Sequence, residues 1–247
     1  MAKQKLLLVD GSSLAFRAFF SILDLNRFKN ANGLHTNALY SFHRMFKSIL
    51  DSEKPTHVLV AWDAGKTTFR TEMYADYKGG RSKTPGEFIE QMPYFNVLLD
   101  AWGIPHYRLN QYEADDIIGT LAKQGEAAGY EVVVLSGDKD LIQLADNNIT
   151  VKITTKGVTE LVEYTPEVIF EKYGLTPEQI IDMKGLMGDS SDNYPGVTKV
   201  GEKTAVKLLQ EFGSVEGIYE HVDEMKKSKL KENLINDKEL AFLSKKL

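Results

Sequence analysis

Residues 5–11 of the chain, KLLLVDG, place apolar residues in an unbroken run that ends in an aspartate and a glycine. Two later segments repeat this pattern, namely THVLVAWDAG at 56–65 and YEVVVLSGDKD at 130–140. Continuous apolar runs rich in β-branched residues are typical of strands buried on both faces, as in parallel sheets. Helical patterns lie between them, among them SSLAFRAFFSIL, LYSFHRMFKSIL and EADDIIGTLAKQGEAAG. The alternation predicts an open α/β fold with a mostly parallel central sheet flanked by helices.

Each of the three predicted strands leads into an aspartate, namely Asp10, Asp63 and Asp138. In open α/β sheets ligands bind outside the carboxyl ends of the strands. We therefore expect these three carboxylates to face one crevice.

Six further acidic residues stand near the starts of predicted helices or next to a strand end. Each group has an ordinary structural explanation, because acids favour a helix N-terminus, an Asp-x-Asp pair is a weak signal, and aspartates spaced i, i+3 also serve as helix caps. Nine carboxylates that end three strands and open two helices exceed what capping needs. The full set is Asp10, Asp63, Glu113, Asp115, Asp116, Asp138, Asp140, Asp189 and Asp192.

Nine carboxylates gathered in one crevice would repel each other unless cations compensated them. The chain has no cysteine, and its five histidines show no close ligand spacing, so a thiolate zinc site is excluded. Ligand sets made only of carboxylate oxygen suit Mg²⁺ or Mn²⁺. The sequence therefore predicts a site for Mg²⁺ or Mn²⁺, with two ions.

The composition, 247 residues with 43% hydrophobic content, fits a globular protein. No apolar run approaches the roughly 18 residues of a membrane span, so we expect a soluble, cytoplasmic protein without a membrane partner. A formal charge of -5 argues against a polyanionic partner, yet removing the nine site carboxylates gives -5 + 9 = +4 for the rest. Bases concentrate at 66–83 and 225–247. An acidic metal site inside a basic surface is typical of a phosphodiesterase that acts on nucleic acid.

The segment GDSSDNYPGVTKVGEKTAVKLLQEFG at 188–213 predicts a turn set by Pro195, Gly196 and Gly201 between two helices. Free N–H groups at the start of the second helix can hold a DNA phosphate without any base contact. An ordinary pair of helices packed on the core is the alternative interpretation.

Residues 66–84, KTTFRTEMYADYKGGRSKT, interleave bases with Phe69, Tyr74 and Tyr77. The pattern favours a mobile arch whose cations neutralise a phosphate backbone and whose rings stack on unpaired bases. A solvated surface loop is the alternative.

Six motifs occur in a fixed order: LVDGSSLAFRAFF, VAWDAG, FRTEMYADYKGGR, YEADD, SGDKDL and GDSSDNYPGVTKVGEKTA. Together they resemble the 5' nuclease domain at the N-terminus of bacterial DNA polymerase I, over nearly the whole chain. The resemblance implies a PIN-like α/β core at 1–165 with a helical arch at about 66–90. It also implies a C-terminal helical lobe at 166–247 with a helix-hairpin-helix element.

The same resemblance implies hydrolysis of phosphodiester bonds at 5' ends, nicks and 5' flaps of duplex DNA, in primer removal, Okazaki fragment maturation and repair. An RNA primer paired with DNA is a further expected substrate. We expect a monomer in the bacterial cytosol or nucleoid, as part of a longer polymerase chain. The final segment AFLSKKL leaves no room for proofreading or polymerase domains, so an excised domain is expected over a free-standing protein.

The resemblance also assigns roles to residues. All nine acids match metal-binding positions, and Asp10, Asp138, Lys78 and Arg81 are the expected catalytic residues. A potassium ion is expected at the hairpin. The expected DNA-binding residues are Arg17, Arg70, Tyr77, Lys78, Arg81, Gly196, Val197, Gly201, Lys203 and Thr204.

Two other functions compete with this prediction. A nuclease fold that has lost its ligands can serve as a non-catalytic junction-binding module, but all nine acids are present. A phosphatase could use Asp10 as nucleophile, but LVDGSS lacks the second aspartate that such a motif carries two residues on. The prediction that remains is a metal-dependent 5' nuclease.

Overall fold

The structure is a computed structural model that describes residues 4–65, 67–80, 83–155 and 160–247. Its contacts divide the chain into two compact units. The first unit comprises the residues up to 68 together with 83–165, and the second comprises 69–82 together with 166–247.

The first unit is built on a six-stranded sheet whose strands run parallel, apart from the antiparallel last one. The order across the sheet is β3-β2-β1-β4-β5-β6, so β1 lies between β2 and β4. This confirms the predicted α/β class and mostly parallel sheet. The strands are β1 (Lys5–Asp10), β2 (His57–Trp62), β3 (His106–Arg108), β4 (Glu131–Ser136), β5 (Ile149–Thr154) and β6 (Leu161–Tyr164).

Helices cover this sheet and close its core. Phe42, Phe46 and Phe95 are fully buried there with Leu7 and Val9 of β1, so the apolar runs of the sequence are strands buried between helices. The α-helices of this unit are α1 (Gly11–Phe20), α2 (Asn37–Glu53), α4 (Gly86–Ile89), α5 (Met92–Ala101) and α6 (Ala114–Ala127), and 3-10 turns cover Leu25–Arg27 and Lys139–Leu144.

The second unit is helical. Its α8 starts with Thr176 as cap, in a reciprocal capping box with Gln179, and ends where Gly188 takes a positive φ of 69°. The helices are α3 (Phe69–Met73), α7 (Pro166–Tyr173), α8 (Pro177–Met187), α9 (Glu202–Phe212), α10 (Val215–His221), α11 (Lys229–Asn236) and α12 (Lys238–Lys246), with a 3-10 turn at Val222–Glu224.

The predicted arch segment is described in part. The resemblance places an arch at about 66–90 in the first domain, and this division stays a prediction; in the structure the described residues 69–80 group with the second unit. The Lys78 amide donates to the Asp192 carbonyl (2.8 Å), and the Asn193 side-chain amide donates to the Asp76 carbonyl (2.8 Å). These two hydrogen bonds, which no local pattern encodes, tie the segment to the loop after α8.

Within the described part of the chain, no helix is both long and apolar enough to cross a bilayer.

Candidate metal centre

Three of the predicted acids lie at the ends of neighbouring strands. Asp10 is the last residue of β1, Asp63 follows β2 directly, and Asp138 comes two residues after β4. From β1 the chain builds β2 and β3 on one side and then crosses to β4 on the other. The ends of β1 and β4 therefore form the topological switch point at which open α/β sheets bind ligands.

Asp10 is the most buried of these carboxylates, at 4% exposure. Its Oδ1 accepts the Ser13 amide (2.9 Å), which caps α1, and its Oδ2 accepts the Ser136 hydroxyl (2.7 Å). Burial raises the pKa of Asp10 to about 7. The two hydrogen bonds act to lower this pKa, whereas the charges of Asp63 and Asp138 act with burial to raise it. The local environment therefore opposes the negative charge of this carboxylate.

Ser136 links Asp10 to the acids after β4. The Asp138 amide donates to the Ser136 hydroxyl (3.0 Å), and the Asp140 amide donates to Asp138 Oδ1 (2.9 Å). This turn brings Asp138 and Asp140 to the same strand end.

The start of α6 carries three more acids. Asp116 Oδ2 accepts the Glu113 amide (2.8 Å) in a capping box whose N-cap is Glu113, so capping accounts for part of this acidic turn. Asp63 Oδ1 accepts the Ala114 amide (2.9 Å) and thereby connects the β2 end to the same helix start. Glu113 is buried at 6% exposure, whereas Asp115 is half-buried.

Seven predicted ligands thus gather around the β2, β1 and β4 ends and the α6 start. Their donor atoms are all carboxylate oxygens. The raised pKa of Asp10 means that its negative charge is disfavoured, and a bound cation would stabilise that charge. This donor chemistry fits a hard divalent ion. Among the described residues, no group of three or more His, Asp or Glu side chains could hold a metal ion in the present arrangement of the side chains.

Asp189 and Asp192 belong to the second unit, in a loop closed by paired hydrogen bonds between Asp189 and Tyr194 (both 3.0 Å). They lie in a turn rather than on a helical face. Burial acts to raise the pKa of Asp189, but hydrogen bonds from Lys184 and Ser191 outweigh it and hold the pKa at about 2. Asp192 is buried at 6% exposure.

The arch segment contacts this loop through Tyr77 and Lys78. The Tyr77 hydroxyl donates to Asp192 Oδ2 (3.4 Å), and Lys78 Nζ lies 3.8 Å from the same oxygen. Tyr77 is only 6% exposed and Lys78 covers its ring, so in this conformation Tyr77 packs inside the unit, in contrast to its predicted stacking on bases. Arg70 Nε donates to the Leu247 carbonyl. Arg81 lies outside the described residues.

The hairpin residues fall into two groups. Gly196 and Val197 are buried, and Val197 is 2% exposed, so its side chain packs within the lobe. Gly201 is the exposed N-cap of α9, and Lys203 is also exposed, whereas Thr204 is half-buried. Since glycine has no side chain with which to cap a helix, the first amides of α9 meet no cap from Gly201.

Arg17 lies on α1, where its guanidinium donates to the carbonyls of Thr154 (2.8 Å) and Thr155. Burial lowers the pKa of Arg17. Beside it is a cavity of about 340 Å³ lined by Ser13, Phe16, Arg17, Phe20, Ser21 and Gly137.

Sequence reasoning missed the hydroxyls that orient the carboxylates. Besides Ser136, the Ser12 hydroxyl accepts the Asp63 amide (2.9 Å), and the Ser13 hydroxyl accepts the Gly137 amide (2.9 Å). A side chain at Gly137 would place Cβ only 2.5 Å from Ser13 Oγ. The motifs DGSS and SGD contain these residues and place Ser12 and Ser136 two positions from Asp10 and Asp138, whereas no serine stands next to Asp63 in the sequence.

Two family models together match nearly the whole chain. Residues 5–174 match the family described as 5'-3' exonuclease, N-terminal resolvase-like domain, and residues 175–247 match 5'-3' exonuclease, C-terminal SAM fold. The chain is 65% identical over 248 residues to DNA polymerase I of Streptococcus pneumoniae and 61% identical over 245 residues to that of Bacillus subtilis. It aligns over 100% and 99% of its length, respectively, but spans only 28% of either relative.

Solved structures share the fold. A T5 5'-exonuclease with bound divalent metal ions (zinc) superposes with a TM-score of 0.78 at 27% identity, over 98% of this chain and 88% of the other. A bacteriophage T5 flap endonuclease, in a pseudo-enzyme-product complex with DNA and metal ions, gives 0.77 at 27% identity with the same coverage. The catalytic core of Rad2 with DNA substrate gives 0.59 at 18% identity, over 96% and 74% of the two chains, which is a likeness of fold.

Proposed function

The chain belongs to the 5'-3' exonuclease family, and from that premise we propose that it is a divalent-metal-dependent nuclease that hydrolyses phosphodiester bonds at 5' ends, nicks and 5' flaps of duplex DNA. The observation that carries this proposal is the placement of Asp10, Asp63 and Asp138 at the ends of three adjacent parallel strands.

We assign the metal site to the carboxylates. Asp10, Asp63, Asp138 and Asp140, with the acids at the start of α6, are the proposed ligands of Mg²⁺ or Mn²⁺ in the first unit, where seven carboxylates suffice for two ions. Asp189 and Asp192 are proposed ligands on the second unit. When bound, such ions activate an attacking water and stabilise the charge of the leaving 3' oxygen.

The protein's own contribution begins with orientation. Ser136 holds Asp10 Oδ2 and the Asp138 amide together, so the Asp10 carboxylate and the backbone that carries Asp138 are fixed before a substrate arrives. Such preorganised groups stabilise a transition state without rearrangement during the reaction. Lys78 and Arg81 are proposed to offset charge that develops on the scissile phosphate, which requires Lys78 to exchange its contact with Asp192 for one with DNA.

A single-turnover measurement tests the proposed role of Lys78. If its cation acts mainly in the transition state, Lys78→Ala lowers the single-turnover rate more than it lowers DNA affinity. Lost affinity with an unchanged rate would contradict this role.

DNA is proposed to be held mainly through its backbone. The exposed start of α9 offers main-chain amides together with Lys203 and Thr204, and such contacts grip phosphate without regard to base sequence. Because Val197 is buried, its proposed role is restricted to shaping the turn. Arg17, Arg70 and Tyr77 are further proposed contacts, and a K⁺ ion at the hairpin is proposed from the resemblance.

We place this activity in primer removal, Okazaki fragment maturation and repair, with RNA paired to DNA among the substrates. The protein is proposed to act in the bacterial cytosol as one domain of a longer DNA polymerase I chain, without self-association. The relatives that are 61–65% identical to it carry that name.

A catalytic test separates this proposal from a junction-binding module that lacks activity. Asp138→Ala is expected to abolish cleavage of an end-labelled 5'-flap duplex in Mg²⁺ while DNA binding is retained, and EDTA is expected to stop the unmodified protein. Asp146→Ala is the matched control, because Asp146 is an exposed aspartate paired with Lys123 (2.7 Å). Full activity of the Asp138 variant, or in EDTA, would refute the proposal, and binding without cleavage by the unmodified protein would favour the module.

A further inference from the structure

The turn of the hairpin is tied to helices outside the hairpin itself. The Thr198 amide donates to Asp237 Oδ2 (2.8 Å), and the Asn233 side-chain amide donates to the Thr198 carbonyl (3.0 Å). Asn233 belongs to α11, and Asp237 stands between α11 and α12. Both backbone groups of one exposed turn residue are therefore held by side chains that lie about 35 residues further along the chain.

Asp237 stands at a helix N-cap, but its side chain does not cap that helix. It is the C-cap of α11 and the N-cap of α12, yet its carboxylate makes no cap hydrogen bond to α12. An aspartate at an N-cap usually accepts an amide of its own helix. Here the carboxylate is directed to the hairpin instead, and hydrogen bonds from the Thr198 hydroxyl and amide lower the pKa of Asp237.

A third contact secures Gly196, two residues before Thr198. The Gly196 amide donates to the hydroxyl of Ser244 on α12 (3.0 Å), and Ser244 is buried at 3% exposure. Three side chains of the last two helices thus fix two residues of the Gly196–Lys199 segment. Its exposed end at Thr198 and Lys199 leads directly into Gly201 and the first amides of α9.

We propose that Asn233 and Asp237 are positioning residues for DNA binding: by holding Thr198 from both sides, they fix the hairpin turn and the start of α9 in the arrangement that receives a phosphate. The inference rests on the proposed function of the hairpin. It adds that DNA affinity depends on α11 and on the junction between α11 and α12, and not on the hairpin alone.

The direction of the change in DNA affinity distinguishes a positioning role of Asp237 from a simple effect of its negative charge. Removing an acidic residue beside a DNA-binding surface ordinarily strengthens binding, because phosphate is repelled less. The positioning role predicts the opposite for Asp237→Ala. Asp237→Asn keeps an oxygen acceptor for the Thr198 amide while removing the charge, so it is expected to retain binding.

The experiment measures two quantities on the same variants: exchange of the Thr198 amide in the free protein by NMR, and Kd, KM and kcat with a 5'-flap duplex. Asp237→Ala and Asn233→Ala are expected to speed amide exchange at least about tenfold and to raise Kd and KM about five- to tenfold, with kcat within about twofold. Asp237→Asn is expected to match the unmodified protein. Glu239→Ala, which removes an exposed charge from α12, is the control and should leave or tighten Kd.

Each result has a defined meaning. Unchanged exchange in Asp237→Ala would refute the clamp, and faster exchange with unchanged or tighter Kd would refute its role in DNA binding. Weakened binding by Asp237→Asn, which keeps the oxygen acceptor, would show that the hydrogen bond to the Thr198 amide does not determine Kd and would also overturn the proposal. If the unmodified protein does not bind the duplex, the proposed function of the hairpin fails, while the amide exchange data still decide whether the clamp exists.

Discussion

Ser136 connects the carboxylate of Asp10 to the backbone amide of Asp138 through one hydroxyl. It donates to Asp10 Oδ2 (2.7 Å) and accepts the Asp138 amide (3.0 Å), and it is only 1% exposed. Groups that orient metal ligands without touching the ion commonly contribute a factor of about 10–100 to metal affinity. A serine is therefore as informative here as the acids beside it.

Ser136→Ala is expected to lower Mg²⁺ affinity about tenfold and to reduce cleavage at limiting Mg²⁺, with recovery at high Mg²⁺, because the carboxylates remain but lose their common anchor. Calorimetric titration and a Mg²⁺ dependence of the cleavage rate measure this. Ser52→Ala is the control, since the Ser52 hydroxyl only donates to the Ile49 carbonyl (3.1 Å) on α2. An unaltered Mg²⁺ dependence in the Ser136 variant would contradict the role given to this residue.

The aspartates of the proposed metal centre could be predicted from the sequence, whereas the serines beside them could not. Asp10 and Asp63 could be predicted because a buried parallel strand exposes its functional residue where the strand ends. Ser12, Ser13 and Ser136 could not be singled out, because a hydroxyl beside an aspartate is equally common in turns and caps. Their roles depend on hydrogen bonds between β1, β2 and β4 that appear only once the strands are paired.

The hairpin shows how glycine enables an element to form. Gly196 has a φ of 59°, and a Cβ there would lie 2.2 Å from the Gly188 amide nitrogen. Gly201 instead has a φ of -103°, and a Cβ there would meet no atom of the described residues within 4 Å. The two glycines therefore differ in what a methyl group would meet.

Gly196→Ala is expected to destabilise the second unit by roughly 2–4 kcal/mol, because backbone strain and a collision with backbone atoms add. Gly201→Ala serves as the control and is expected to cost under about 1 kcal/mol. Urea unfolding followed by circular dichroism gives both values. Equal stabilities of the two variants would show that the close approach of the backbones at Gly196 is not needed.

Lys245 on α12 joins two other helices of the lobe. Its Nζ lies 2.7 Å from Asp182 Oδ1 on α8 and 2.7 Å from Glu216 Oε2 on α10. Hydrogen bonding to Lys245 lowers the pKa of Glu216. Burial acts to lower the pKa of Lys245, but hydrogen bonds to both acids outweigh it and raise the pKa.

These shifts give the pH dependence its sign. The contribution of Glu216 is present above its ordinary pKa of 4.5 and is lost as pH falls through the lowered folded value. The contribution of Lys245 is present below 10.5 and is lost as pH rises through the raised folded value. Lys245→Met is expected to cost about 2–3 kcal/mol at neutral pH, since Asp182 stays buried without its cation, and to flatten both limbs of the thermal stability profile.

Lys246→Met provides the comparison, because Lys246 is the exposed neighbour on the same helix. It should leave the profile as in the unmodified protein. A Lys245 variant with an unchanged profile would show that this ion pair makes no net contribution.

Elements differed in how far their sequence predicted them. Helices α8 and α9 were predicted from the turn that Pro195, Gly196 and Gly201 set between them, because such turn signals are local. The packing of residues 69–80 on the loop after α8 was not predictable, because its hydrogen bonds join residues more than 100 positions apart, as in the 117-residue separation of Asn193 and Asp76. The burial of Tyr77 was not predictable for the same reason, since an aromatic residue among basic residues gives no sign of what will cover it.

For the whole molecule, the distribution of charge matters more than its sum. The formal charge is -5, yet seven of the acids are gathered at the strand ends and α6 start of the first unit. The lobe presents exposed lysines at the hairpin, among them Lys199 and Lys203. Binding of DNA by an acidic protein is therefore expected to depend on a small number of local phosphate contacts.

If DNA is held by a few local phosphate contacts, the salt dependence of its affinity measures their number. Each phosphate neutralised by a lysine releases counterions, so the logarithm of affinity falls with the logarithm of salt concentration by about 0.9 per contact. Lys203→Ala is expected to weaken duplex binding uniformly across sequences and to reduce this slope by about 1. Fluorescence anisotropy in a KCl series gives the slope directly.

Lys226→Ala tests whether position or net charge is responsible. Lys226 is exposed in the same unit but lies outside the hairpin, and its removal changes the formal charge by the same amount. If the hairpin grips the phosphates, the Lys226 variant keeps the original slope while the Lys203 variant loses about one unit of it. Equal slopes for the two variants would mean that DNA senses only the overall charge of the molecule, and the hairpin would then have no special place in binding.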